Sequence, residues 1–155
     1  MAHKNLERVI TYYQLNDYAA TVFRIQLSVE QLQKCLLLFL GIQFRKTHEP
    51  SKILDSLIYN EVMKLSKDLS KKLKQISMIA KKIEQQETIT RNGVKKNDEL
   101  ITPEEYYTKE KTLSFIDNLQ DIILILVSLF ESIPELKGDV EQFVKYMKQM
   151  EELKA

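Results

Sequence analysis

Between Asp17 and Gly41 the apolar positions Val22, Ile25, Val29, Leu32, Leu36 and Phe39 recur at steps of three, four, three, four and three. On a helix that spacing gathers all six side chains into one stripe. Phe23, Leu27 and Leu37 widen it, and from Cys35 to Leu40 the segment is apolar on every side. Such a helix belongs in the middle of a protein. Asp17 suits the N-cap, where its carboxylate accepts from a first-turn N–H. Gly41 suits the position after the C-cap, where φ is positive. The predicted helix is ~37 Å long at 1.5 Å per residue. Burial of its stripe is worth on the order of 10–18 kcal/mol before conformational entropy is subtracted.

A second stripe obeys the same rule: Ile116, Leu119, Ile123, Leu126, Phe130 and Ile133. Its helix opens at Thr102, with Pro103 at the first helical position and Glu105 completing a capping box. It is the natural partner of the first. Before the central helix, Asn5–Leu15 forms a short amphipathic helix, and Asn16-Asp17 turns it back antiparallel. After Gly41 a connector leads to Pro50, with Thr47 as the expected N-cap of a third helix burying Ile53, Leu54, Leu57 and Ile58. The pattern continues through Val62, Leu65, Leu69, Leu73, Ile76, Ile79 and Ile83 to about Glu87, with a kink or break near Asn60. Residues 88–102 are the longest non-periodic stretch: a mobile loop, or a hairpin around Lys96-Asn97-Asp98. Residues 134–155 give an accessory helix, opening at Gly138-Asp139 and carrying Val140, Phe143, Val144, Met147 and Met150.

The elements add up to a single all-α domain over 1–155, an up-and-down bundle of four long helices with short additional ones. Three Gly and three Pro leave little material for hairpins. The two apolar helices display more apolar surface than one four-helix core needs, which predicts a homodimer. A net charge of +1 selects no partner by itself. Cys35, the lone cysteine, has no disulfide mate and reads as a small buried hydrophobe. The first ten residues have no long apolar run and none elsewhere reaches ~20 residues, so a cytoplasmic protein without membrane contact is expected.

Candidate chemistry is sparse. His3 sits near the terminus, which leaves His48 as the one internal histidine. No motif for a metal, a phosphate-binding loop or a cofactor occurs. Tyr106 and Tyr107 read as packing groups rather than a stacking pair for a base. Two polar groups stand out. Gln26, Glu30 and Lys34 follow one line down the central helix, either an intrahelical ion pair or a polar strip in a cleft. Arg45, Lys46, Thr47 and His48 lie at the mouth of the third helix, where N–H groups and two cations suit an anion. Lys64, Lys67, Lys71, Lys74 and Lys81 form a basic strip opposite the fourth apolar stripe, with Lys72 and Lys82 alongside. A solvated face with acid pairs such as Asp68 to Lys72 is the simpler reading, since the strip has no interleaved aromatic. The sharper one is a phosphate or RNA strip.

Residues 18–57 resemble the HEPN family of prokaryotic helical domains. The resemblance lies in Tyr18, Gln26, Val29, Glu30, Lys34, Gly41 and Lys46-Thr47-His48; it departs at Ser28 and at Glu49-Pro50. Arg91-Asn92 within TRNG looks like the start of the family's ribonuclease motif, Arg, a polar residue, then His four to six residues on. Here Lys96, Asn97 and Asp98 fill that window. The resemblance implies a four-helix bundle, a symmetric homodimer, and either RNA cleavage or partnership with a minimal nucleotidyltransferase. Without the histidine the acid–base partner is missing. The expectation is therefore a non-catalytic dimer binding a partner protein, a nucleotide or RNA, with Gln26, Glu30, Lys34, Arg45, Lys46, His48 and Arg91 as ligand-binding candidates. The rival is a metal-independent ribonuclease using Arg91, Asn92 and His48.

Overall fold

The computed structural model describes residues 2–60 and 64–155. In chain order it contains α1 (Ala2–Gln14), α2 (Tyr18–Phe39), α3 (Pro50–Tyr59), α4 (Lys67–Glu84) and α5 (Gln86–Asn92). A small hairpin of β1 (Val94–Lys96) and β2 (Glu99–Ile101) follows, then α6 (Pro103–Tyr106), α7 (Lys109–Phe130), a 3-10 turn at Pro134–Leu136 and α8 (Lys137–Glu152). The fold is all-α apart from that hairpin.

α2 is the axis of the bundle. Its stripe residues Val22, Ile25, Val29, Leu32 and Leu36 are all buried. At the N-terminus Asp17 Oδ1 accepts from Ala20 N at 3.0 Å. At the C-terminus Gly41 has φ +76, Gly41 N donates to Leu38 O and Ile42 N donates to Leu37 O, both at 2.9 Å. Those two bonds close a Schellman motif. The same geometry ends α1, where Asn16 takes φ 59, Asn16 N reaches Tyr13 O at 2.9 Å and Asp17 N reaches Tyr12 O at 3.0 Å. An asparagine tolerates this left-handed turn better than most side chains, so α1 folds back antiparallel on α2. Asn5 Nδ2 donates to Gln31 Oε1 at 3.0 Å across the pair.

α7 runs parallel to α2. Near both N-termini Ala19 and Val22 pack with Tyr107 and Phe115, and near both C-termini Phe39 meets Phe130 edge-on at 5.1 Å. α4 and α5 run the other way, touching α2 first at Gln33 and then at Phe23. α8 lies antiparallel on α7, where Gln120 Nε2 donates to Met147 O at 3.2 Å and Lys154 pairs with Asp117. By length and composition α7 would suffice to cross a bilayer. Here it is a core helix, with Ile116, Leu119, Ile122, Ile123 and Leu126 all buried and Asp117 and Asp121 outward.

Several sequence expectations need correction. Cys35 is exposed, because its position on α2 falls outside the buried stripe, on the flank away from the polar line. Phe39 ends the stripe but is half-exposed, its ring against Phe130 at the bundle's end. The break expected near Asn60 is present: α3 stops at Tyr59, Asn60 N bonds Ser56 O at 3.0 Å, and α4 starts afresh with Ser66 Oγ accepting from Leu69 N at 3.1 Å. Val62 lies outside the described residues. Lys64 precedes α4 in irregular chain and is not on the helix. Of the two readings of residues 88–102, the hairpin is the one the structure contains. Thr88–Asn92 complete α5, and Val94↔Ile101, Lys95↔Leu100 and Lys96↔Glu99 pair across a two-residue turn. Asn97 and Asp98 both have positive φ, as a type I′ turn demands. Gly93 lets the strands close, since a Cβ there would stand 2.1 Å from Ile101 O.

The Thr102–Glu105 capping box forms, but it caps only the single turn α6. The chain breaks at Tyr107, whose buried ring anchors the corner and whose hydroxyl donates to Gln86 Oε1 at 2.9 Å. Thr108 Oγ1 then caps α7 through Lys111 N at 3.2 Å. α8 opens at Lys137, one residue ahead of Gly138, and Val144 faces solvent.

Candidate functional site on the central helix

The polar line of α2 is half in and half out of the core. Gln26 and Glu30 are buried; Lys34, one turn further, is partly exposed. Lys34 Nζ donates to Glu30 Oε1 at 2.6 Å, the favourable orientation for a helical pair. The second carboxylate oxygen takes a partner from the α2–α3 connector: His48 Nδ1 lies 3.2 Å from Glu30 Oε2. A carboxylate offers only acceptors there, so the ring nitrogen is the donor. The fold thus joins two groups that are eighteen positions apart in the chain. Glu30 is the hub, a carboxylate held between an ammonium and an imidazole whose side chain remains half-exposed. Among the described residues the buried Gln26 carboxamide oxygen has no partner.

Thr47 does not cap α3. Its Oγ1 accepts from Glu49 N at 3.0 Å, and Glu49 occupies the N-cap without a side-chain bond. The cap comes instead from α4. Glu84 Oε1 accepts from Ser51 N at 3.1 Å and from Gln33 Nε2 at 3.1 Å, while Ser51 Oγ donates to Glu84 Oε2. One carboxylate therefore ties α2, α3 and α4 together and faces the positive end of α3's dipole. Burial pushes the Glu84 carboxyl above its ordinary range, and the bonds from Ser51 and Gln33 only partly offset this. Next to it Asp55 shows the opposite balance. Burial pushes it up, but the bonds from Lys81 and Ser77 outweigh that and hold it low.

Arg91 lies in the last turn of α5. Its Nη2 is 3.6 Å from Glu87 Oε1, and its guanidinium sits over the Phe23 ring at 5.9 Å. Asn92 is exposed beside it. Phe23 and Glu30 are one heptad apart, hence on the same face of α2 and about 10 Å apart along its axis. Arg91 and His48 therefore address one face of the helix from two different turns, and no hydrogen bond or ion pair joins them among the described residues. Arg45 and Lys46 are exposed on the connector.

In the basic strip Lys67, Lys71 and Lys74 are exposed on α4, Lys72 pairs with Asp68 at 3.1 Å and Lys81 pairs with Asp55. Among the described residues no three His, Cys, Asp or Glu side chains converge on a point where a metal ion would sit. Sequence reasoning missed Glu84, Ser51 and Phe23. Each gains its role from an element far along the chain, and only the bare fact of an acid at the end of an amphipathic helix marks Glu84.

The half-exposed His48 ring keeps spare hydrogen-bonding capacity beside the Glu30–Lys34 pair. Against known proteins, the family model of the HEPN domain matches residues 1–154. Neither the curated proteins nor the solved structures contain a match.

Proposed function

Since this chain belongs to the HEPN domain family, we propose that it is a non-catalytic member: a helical homodimer that binds a nucleotide-bearing ligand, free or carried by a nucleotidyltransferase-like partner protein. Gln26, Glu30, Lys34 and His48 form the recognition line, and Arg45, Lys46 and Arg91 supply cations at its rim. One observation carries this reading. The sole internal histidine is bonded to Glu30, while Arg91 is engaged by Glu87 and Phe23 about two helical turns away, so no acid–base pair flanks the arginine within a chain. The half-exposed His48 ring gives a ligand something to bond. Cytoplasmic residence belongs to the same proposal and fits an exposed, unpaired Cys35.

The test is incubation with structured RNA in metal-free buffer, alongside calorimetric titration with nucleotides. The expected result is nucleotide binding weakened by Glu30→Gln and no RNA cleavage. Cleavage that disappears in Arg91→Ala would overturn the proposal. One feature favours the ribonuclease alternative: Arg91 and His48 share a face of α2, so an antiparallel twofold on that face would set one protomer's Arg91 near the partner's His48. Cleavage restored by mixing inactive Arg91→Ala with inactive His48→Ala chains would establish that arrangement.

A further inference from the structure

The outward face of α4 carries Lys67, Lys71, Lys74, Met78 and Lys82 at helical spacing, all exposed. Two other lysines of this helix are matched by acids, Lys72 by Asp68 and Lys81 by Asp55. Among the described residues no carboxylate lies within 4.0 Å of the ammonium groups of Lys67, Lys71, Lys74 or Lys82. In a chain of net charge +1 this is a local excess that the composition hides.

The strip lacks an aromatic of its own, and the fold provides one. The end of α3 lies beside α4 and leaves Tyr59 with 89% of its surface exposed. The ring stands at a cleft of about 390 Å³ lined by Lys52, Asp55, Ser56, Ile58, Asn60 and Lys74. That volume is in the range of small-ligand pockets. Asp55, which would repel an anion, is already engaged by Lys81 and Ser77. Asn60 Nδ2 donates to Ser56 Oγ at 3.0 Å, which leaves its amide oxygen facing no protein donor among the described residues. Lys52 is paired with Glu49 at 2.7 Å, so the cleft combines a bare aromatic face, the Lys74 ammonium and a hydrogen-bonding edge.

We propose that this α3–α4 face binds single-stranded polynucleotide. An unstacked base lies on Tyr59, Lys74 holds a flanking phosphate, and Lys71 and Lys67 track the strand along α4. Stacking on an aromatic needs a base released from its duplex, and it tolerates any sequence because every base has a π-face. An acidic peptide would use the lysines but have no need of the ring. A lipid surface would call for an apolar stripe, and Met78 alone interrupts the cations. The site lies apart from the α2 line and stands or falls without it.

The experiment is fluorescence anisotropy of the full chain with short labelled oligouridylate and oligoadenylate at about 50 and about 200 mM salt. Tyr59→Ala is expected to weaken binding roughly 5- to 100-fold, and Tyr59→Phe to leave it close to wild type. Lys71→Glu with Lys74→Glu is expected to reduce the steepness of the log–log salt dependence by about 1.4. All these positions are exposed, so circular dichroism of the variants should match wild type. No binding of either oligomer at the lower salt, wild-type affinity in Tyr59→Ala, or equal binding of a duplex would overturn the proposal. So would binding of anionic vesicles or polyglutamate, but not of the oligomers.

Discussion

Glu84 offers the sharpest test of how the three helices around the site are held. Truncation to alanine removes the acceptor of Ser51 N, Ser51 Oγ and Gln33 Nε2 together. Each bond to an ionised acceptor is worth about 1.5–3 kcal/mol. Two terms reduce the sum: the Ser51 hydroxyl can turn elsewhere, and the Gln33 amide keeps its long contact to Val29 O at 3.4 Å. Removing a half-buried carboxylate also relieves its desolvation. The net expected loss for Glu84→Ala is about 2–4 kcal/mol, read by urea unfolding followed by helical circular dichroism. Glu84→Gln should be much milder. Its carbonyl can keep accepting from Ser51 N and Gln33 Nε2, and its new N–H group, at the other position, can donate to Ser51 Oγ.

The pH dependence follows from the raised Glu84 carboxyl. The folded state holds that proton more tightly than the unfolded chain. Its contribution is therefore full below the ordinary glutamate range and is lost as pH rises through the raised value. The stability of wild type minus that of Glu84→Gln should fall with rising pH across that window and be flat above it. A cost below about 1 kcal/mol for the alanine variant, or a wild-type-minus-glutamine difference that ignores pH, would refute the reasoning.

Asp55→Asn should destabilise at neutral pH, and the gap should close in acid as the depressed Asp55 carboxyl takes up its proton; urea titrations at several pH values read it. Leu36→Ala, fully within the core, should cost about 2–5 kcal/mol by the same method. Gly93→Ala should cost about 1–3 kcal/mol or more, with hydrogen exchange quickening first at the paired Val94 and Ile101, because the added carbon meets Ile101 O. If α2's outer face joins two copies, Leu27→Glu should shift sedimentation at micromolar concentration to monomer while helicity is kept.

What the sequence made legible depended on whether the cause was local. Periodicity placed the stripes of α2 and α7, and Asp17, Gly41, Thr102 and Glu105 marked caps that the structure contains, since capping involves residues a few positions apart. The corner at Tyr107 was less readable. There a tertiary contact, such as the Tyr107 hydroxyl on Gln86, overrides a continuous apolar pattern. Turn chemistry in Asn97-Asp98 made a hairpin readable there, but its flanking segments are too short to decide between hairpin and mobile loop from sequence. For the site, the Glu30–Lys34 pair followed from spacing, whereas His48 closing on Glu30, Glu84 capping α3 and Arg91 resting on Phe23 each needed the fold.

The parallel pairing of α2 with α7 has a consequence for how the protein is made. A ribosome adding about 5–20 residues per second finishes Phe130 roughly 5–18 s after Phe39. During that interval α1 covers one flank of α2, while the surface awaiting α7 stays bare. Nascent chains of this protein should therefore engage holding chaperones until their last third emerges, and slowing translation before Lys109 should increase aggregation even though the finished domain is unchanged.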